Sequence, residues 1–204
     1  MTVPIAIATE DELSEAMALR LVAELPQAHH VTHCLRKGGF GYLRSKMNNW
    51  CQMAQHQVML VVTDLDQVDC AVALRHQWFG RLHVPESLLL RVAVRESEAW
   101  ALSDHEAVRQ LMGNKGTLPT APENLPDPKQ ALLKLAKSAP KDIRADMLRE
   151  SAGRLQQGLG YNTRLVAWVQ TEWSPERAAE RSPSLARARM RLSEAVGQFG
   201  HPAR

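Results

Sequence analysis

Two aspartates one residue apart, Asp64 and Asp66, close the apolar run Val58-Met59-Leu60-Val61-Val62. Carboxylate oxygens are hard ligands, and a pair of them aimed at one point suits a divalent cation such as Mg²⁺ or Mn²⁺. Residues two apart on an extended strand face the same way, which would set these two groups roughly 6 to 7 Å apart along the chain. Two other acidic clusters share the pattern: Glu10, with Asp11 and Glu12, follows the run from Val3 to Ala8, and Glu96 and Glu98, with Asp104 beyond, follow Leu88 to Val94. Gathered in one cleft, Glu10, Asp64, Asp66, Glu96 and Glu98 would repel one another and raise each other's pKa values. One or two bound cations would relieve that repulsion, activate a water and stabilise the leaving oxygen of a phosphodiester. The structural alternative is that these acids end strands and cap helices.

Convergence depends on the elements that carry the acids. Val58 to Val62 is continuous, apolar and rich in β-branched residues, the mark of a strand buried on both faces of a parallel sheet. Val3 to Ala8 and Leu88 to Val94 read as two more strands. Between the first two, Leu13, Met17, Leu21 and Leu25 recur every fourth residue, giving an amphipathic helix with Thr9 and Glu12 as its expected capping box. Gln27 to Gly41 shows no period and reads as a loop; Leu43, Met47, Trp50, Cys51 and Ala54 then mark a helix, and Val72 to Phe79 another. Strands alternating with helices predict an α/β fold, a mostly parallel Rossmann-like sheet flanked by helices, with acids at the C-terminal strand ends where such sheets bind ligands.

Residues 1–112 form the expected α/β core, and residues 113–128, rich in proline and glycine, a connecting loop. Residues 129–204 carry only helical signals and form an expected helical annex packed on the core. Asp127-Pro128, Ser174-Pro175 and Ser182-Pro183 read as helix starts, with Asn162 as the expected cap of Leu165 to Trp173.

Lys37, before Gly38 and Gly39, is a candidate phosphate contact, although no P-loop spacing surrounds it. Lys129 could touch a phosphate or be a surface lysine in the first turn of a helix. His29, His30 and His33 lack partners at metal-ligand spacing and read as exposed loop histidines. Ser182 and Ser184 read as caps, and Trp100, Trp168 and Trp173 as core. Cys34, Cys51 and Cys70 form no CxxC pattern and read as buried free thiols.

Hydrophobic content of 45% and charged content of 23% are those of an ordinary globular protein. No apolar stretch is long enough to span a bilayer and no charged-then-apolar leader opens the chain, so the expected location is the cytoplasm with no membrane partner. Net charge is only +3, but the C-terminal segment sets Arg177, Arg181, Arg187, Arg189, Arg191 and Arg204 against Glu176, Glu180 and Glu194, a basic face for any anionic partner or, equally, a solvated helix face; without aromatic interleaving it does not imply nucleic-acid binding. No sequence feature sets an oligomeric state.

The residues also carry a resemblance. A glutamate at a strand-to-helix junction followed by Asp-x-Asp at the end of a later strand resembles the TOPRIM fold of topoisomerases, primases and overcoming-lysogenisation-defect nucleases. IAIATEDELSEA, LVVTDLDQ, RVAVRESEAWALSD, PDPKQALLKLA and SPSLARA look like successive blocks of a bacterial TOPRIM-like family often found beside ATPases in phage-defence gene neighbourhoods. The resemblance implies a Mg²⁺- or Mn²⁺-dependent nuclease or phosphotransferase acting on nucleic acid, with an ATPase as a partner protein. It implies Glu10 as the general acid-base or metal-binding glutamate and Asp64 and Asp66 as metal ligands, with Glu96, Glu98 and Asp104 matching the family's own acidic block. The usual glycine after the glutamate is Asp11 here, which leaves Glu10 and Glu12 as alternatives for that role, Glu10 being preferred. A non-catalytic interaction module, or a subunit of an ATPase-containing complex, is the alternative function.

Overall fold

The computed structural model describes residues 2–36, 38–151 and 153–200. The core runs Val3–Thr9 (β1), Glu12–Ala23 (α1), His29–Arg36 (β2), Gly39–Ser45 (α2), Met47–Met53 (α3), Val58–Asp64 (β3), Ala71–Phe79 (α4), Leu88–Ala93 (β4), Ser97–Ser103 (α5) and His105–Met112 (α6). Among the described residues, four strands form one sheet in the order β2-β1-β3-β4, with all neighbours parallel. The chain is therefore α/β, with a parallel sheet flanked by helices. No described helix is long and apolar enough to cross a membrane.

The pleat sorts the strand side chains into two layers. Ile5, Ile7, Val58, Leu60 and Val62 face α1, α5 and the C-terminal helices. Ala6, Ala8, Met59, Val61, Leu88 and Leu90 face α2, α3 and α4. Burial on both sides is why β3 reads as an unbroken apolar run, each large side chain contributing roughly 1.5–3 kcal/mol. The direction of each crossover sets the layer: α1 leads from β1 to β2 at one edge, whereas α2, α3 and α4 lead the opposite way to β3 and β4 and so cover the other face.

The stretch from Gln27 to Gly41, expected as loop, contains β2. Its side chains are exposed or only half-buried at the sheet edge, so no apolar period marks it. His29, His30 and His33 thus stand on an edge strand, and Lys37 lies outside the described residues. The helix expected from Leu43 to Ala54 is two short ones, α2 and α3, meeting at Lys46.

Beyond α6 the chain makes a 3-10 turn at Pro122–Asn124, followed by Pro128–Ala136 (α7), Lys141–Met147 (α8), Leu148–Ser151 (β5), Arg154–Gln157 (β6), Tyr161–Thr171 (α9), Pro175–Ala179 (α10) and Pro183–Gly200 (α11). The antiparallel pair β5-β6 corrects the expectation of helices alone. Its four-residue strands, each with a single leucine, carry no alternation long enough to read. Asp127 and Ser174 cap α7 and α10 as expected, whereas α9 starts from Gly160, so Asn162 is inside the helix. Leu132, Leu165, Ala178, Leu185 and Leu192 join the apolar cluster of β1 and α1. The cysteines are free, but Cys34 and Cys70 are exposed and Cys51 half-buried, which corrects their expected burial.

Candidate functional site

β1 and β3 are neighbours whose following connections leave in opposite directions, so the crevice beyond their C-terminal ends is the topological switch point of the sheet. Open α/β sheets bind ligands there. Glu10 follows β1 and Asp64 ends β3. Thr9 pairs with Val62, which brings Glu10 level with Thr63 and Asp64. Glu10 Oε1 accepts a hydrogen bond from the Thr63 hydroxyl and another, at 3.1 Å, from the Asp64 amide. Burial raises the Glu10 pKa against these bonds, aided by the charges of Asp66 and Asp11.

Asp64 lies against α5. Ser97, the first residue of that helix, donates to Asp64 Oδ1 at 2.7 Å. Burial pushes the Asp64 carboxyl well above the ordinary carboxylate range, and the charges of Glu98, Glu10 and Asp11 push the same way. Along the pleat Asp64 follows Val58, Leu60 and Val62, whereas Glu10 is held by Thr63, which points to the other layer. The two carboxylates therefore reach the strand ends from opposite sides of the sheet. Each keeps its second oxygen without a hydrogen bond among the described residues.

Asp66 corrects the expected geometry. β3 stops at Asp64, Leu65 turns into the α2–α4 layer, and Asp66 is exposed with φ +49°. Asp64 and Asp66 are not two groups on one strand face. Arg95, beyond β4, has φ +66°, and the Asp66 amide donates to its carbonyl at 2.9 Å. Among the described residues these are the two non-glycine positions in the left-handed region, each costing about 1–3 kcal/mol. Both stand at strand ends beside the acidic cluster.

The third acidic block forms a separate group. Glu98 is buried, at 4% exposure. Tyr161 donates to its Oε1 at 3.0 Å, and Lys129 Nζ lies 3.4 Å from the same oxygen. The Lys129 amide, a free donor in the first turn of α7, bonds Glu96 Oε2 at 3.3 Å. Burial disfavours the Lys129 ammonium, but the Glu98 and Glu96 charges outweigh it and raise its pKa, with Asp64 adding to them. Glu96 is raised by burial and by Glu98. Burial and the adjacent Glu98 keep the Tyr161 phenol firmly protonated as a donor. Five acids are thus not left uncompensated, because Lys129 neutralises part of the charge.

Asp104 belongs elsewhere: it is fully buried and held by both the Nε and Nη2 of Arg177, at 2.9 and 2.8 Å, so it is structural. Glu12 is drawn to Arg36 at 2.7 Å, away from the crevice. The capping box of α1 pairs Asp11 with Ser14, not Thr9 with Glu12. Asp11, where a glycine was expected, is therefore the helix cap. Ser182 and Ser184 bond Glu123 and open α11, Trp100 is buried, and neither serine has a histidine base among the described residues.

The residues missed by sequence reasoning are Thr63, Ser97 and Tyr161. Neutral hydroxyls carry no charge pattern, and only their hydrogen bonds identify them.

Among the described residues no group of three or more His, Cys, Asp or Glu side chains is arranged to hold a metal ion. The donor set at the switch point is two carboxylates, Glu10 and Asp64. Carboxylate oxygens are the donor type that Mg²⁺ and Mn²⁺ take. No family model, curated protein or solved structure matches this chain.

Proposed function

We propose that the chain is a Mg²⁺- or Mn²⁺-dependent phosphodiester hydrolase of TOPRIM type, acting on nucleic acid. The observation that carries this reading is the pair Glu10 and Asp64 at the switch point of a parallel sheet, with the Asp64 carboxyl pushed well above its ordinary range by burial and by Glu98 and Glu10. Charge accumulated where no apolar core needs it suits a cation and a phosphate ester. When bound, the cation would supply Lewis acidity at the phosphoryl oxygen. Glu10 and Asp64 would hold it, with Asp66 at the rim. Glu10, raised by burial and held at one oxygen by Thr63 and Asp64, keeps Oε2 to take a proton from an attacking water. Lys129, anchored by Glu98, would steady the phosphate charge. The backbone strain at Asp66 and Arg95 supports a site held open for function. The resemblance to TOPRIM blocks adds phage defence with an ATPase partner.

The test is hydrolysis of single-stranded and duplex DNA and RNA by the purified chain in Mg²⁺, Mn²⁺ or EDTA. Cleavage that needs the ion and is lost in Asp64→Asn and Glu10→Gln is the expected result. Ion-independent cleavage, or cleavage that survives both substitutions, overturns the reading.

A second reading, a non-catalytic subunit of an ATPase-containing complex, draws on a different observation. Glu98 is already satisfied by Tyr161 and Lys129, so that block suffices to join α5, α7 and α9 without any ion. Copurification with an ATPase, joined to indifference to metal, would favour it.

A further inference from the structure

On the β4 edge of the sheet a cavity of about 350 Å³ opens between β4, α4 and α11. Four arginines line it: Arg75 from α4, Arg91 from β4, and Arg187 and Arg191 from α11. No carboxylate is among its described lining residues; the rest of the wall is largely apolar, including Leu90, Val92 and the exposed Met190.

The cations are poorly compensated. Arg191 reaches Glu194 at 3.0 Å outside the cavity, and Arg75 Nη1 has a long 3.4 Å bond to the Leu90 carbonyl while its guanidinium lies 5.1 Å from the centre of the Phe79 ring. Arg187 makes no ion pair among the described residues. Arg91 Nε is buried with no hydrogen-bond partner among the described residues. An orphaned buried donor of this kind requires an explanation. Burial first, then the charges of Arg75, Arg191 and Arg187, push the Arg91 guanidinium down to about 10, so it stays charged at neutral pH among like charges. Arg75 is lowered by burial and by Arg191.

We infer that this cavity is a phosphate-binding site, in which the guanidinium forks of Arg91 and Arg75, closed over by Arg187 and Arg191, take the oxygens of a phosphate group on a nucleotide or a nucleic-acid strand. Arginine forks match phosphate oxygens two at a time, and an anion would satisfy the orphan Nε and cancel the mutual repulsion. The apolar wall suits the part of the ligand that carries the phosphate. Val94, which also lines the cavity, stands two residues before Glu96, so the site opens toward the same strand ends as the acidic cluster. The inference does not require that cluster to hold metal, since none of its acids lines the cavity.

The experiment uses the full chain in EDTA, which removes any contribution from a bound cation. Pyrophosphate is titrated calorimetrically, and a labelled oligonucleotide without terminal phosphates is titrated by fluorescence anisotropy, against wild type, Arg91→Gln and Arg187→Gln. Wild type is expected to bind at least one probe, and each substitution to weaken it about tenfold or more. Pyrophosphate binding alone assigns the site to free or terminal phosphates; oligonucleotide binding alone assigns it to a strand backbone. If Arg91→Gln fails to fold, Arg187→Gln decides, because that exposed helix residue leaves the core untouched. Failure of wild type to bind either probe overturns the inference, as does equal binding by wild type and the folded variants. A wild-type chain that binds the anion yet shows no ion-dependent hydrolysis would instead count against the proposed hydrolase.

Discussion

Tyr161 and Glu98, 63 positions apart, meet in a 3.0 Å hydrogen bond that joins the start of α9 to the acidic end of the sheet. The phenol is the neutral donor and the buried carboxylate accepts it beside Lys129. One bond thus ties the C-terminal helices to the acids after β4. Tyr161→Phe removes that donor while keeping the ring. It is expected to lower stability by about 1–3 kcal/mol, because a buried acceptor loses a partner. Urea denaturation of the two proteins checks this, and an unchanged midpoint would show that Lys129 alone satisfies Glu98.

Asp64 sets a pH dependence. Its carboxyl titrates above the ordinary range in the folded chain, so the folded state holds a proton that the unfolded state has released. Stability from this group is complete below the unfolded value, about 3.9, and is lost as pH rises through the raised folded value. Asp64→Asn keeps an oxygen for Ser97 and removes the titration. The variant is expected to be more stable than wild type at pH 7, with the gap closing toward pH 4. Melting temperatures across that range decide, and a gap that stays constant would mean that Asp64 does not titrate in the window.

A divalent cation should replace that proton. At a concentration one hundred times its Kd, an ion that binds only the folded chain stabilises it by about 2.7 kcal/mol. Mg²⁺ or Mn²⁺ is therefore expected to raise the melting temperature of wild type and of Glu12→Gln, and to leave Glu10→Gln and Asp64→Asn unmoved. Equal shifts in all four proteins would place the ion elsewhere.

Asp104 offers a contrast, as an acid with a purely structural role. Its carboxylate receives both Arg177 bonds, the Ser174 amide at 2.8 Å and the Ala107 amide at 3.2 Å. Arg177→Leu leaves a buried charge with two amides. The expected loss is about 2 kcal/mol, below the 3–5 kcal/mol of a fully buried broken pair, because Arg177 is partly exposed. Calorimetric unfolding measures it, and a loss under 0.5 kcal/mol would show that the amides suffice.

What could be read from residue order follows the strength of local patterns. Val58 to Val62 announced a doubly buried strand because both layers demand apolar side chains there, and Leu13, Met17 and Leu21 announced α1 because one face must be apolar. β2 was hidden because an edge strand buries little, and β5 and β6 because four residues with a single leucine each carry no period. The acids after β1, β3 and β4 were visible as types and spacing.

Their partnerships were not. Glu12 turning to Arg36, Asp11 becoming the cap with Ser14, and Asp66 leaving the strand with φ +49° each depend on contacts or backbone torsions that residue order does not record. Strand order did the same on a larger scale. Only with β3 seated beside β1 does the crevice fall between Glu10 and Asp64, and only the packing of α11 on β4 carries Arg187 and Arg191 to Arg91. Sequence alone determined which side chains must be buried and where charge collects, since those follow from local periodicity and composition. The tertiary structure decided which charges meet, because that depends on chain crossings that bring distant residues within a few ångströms.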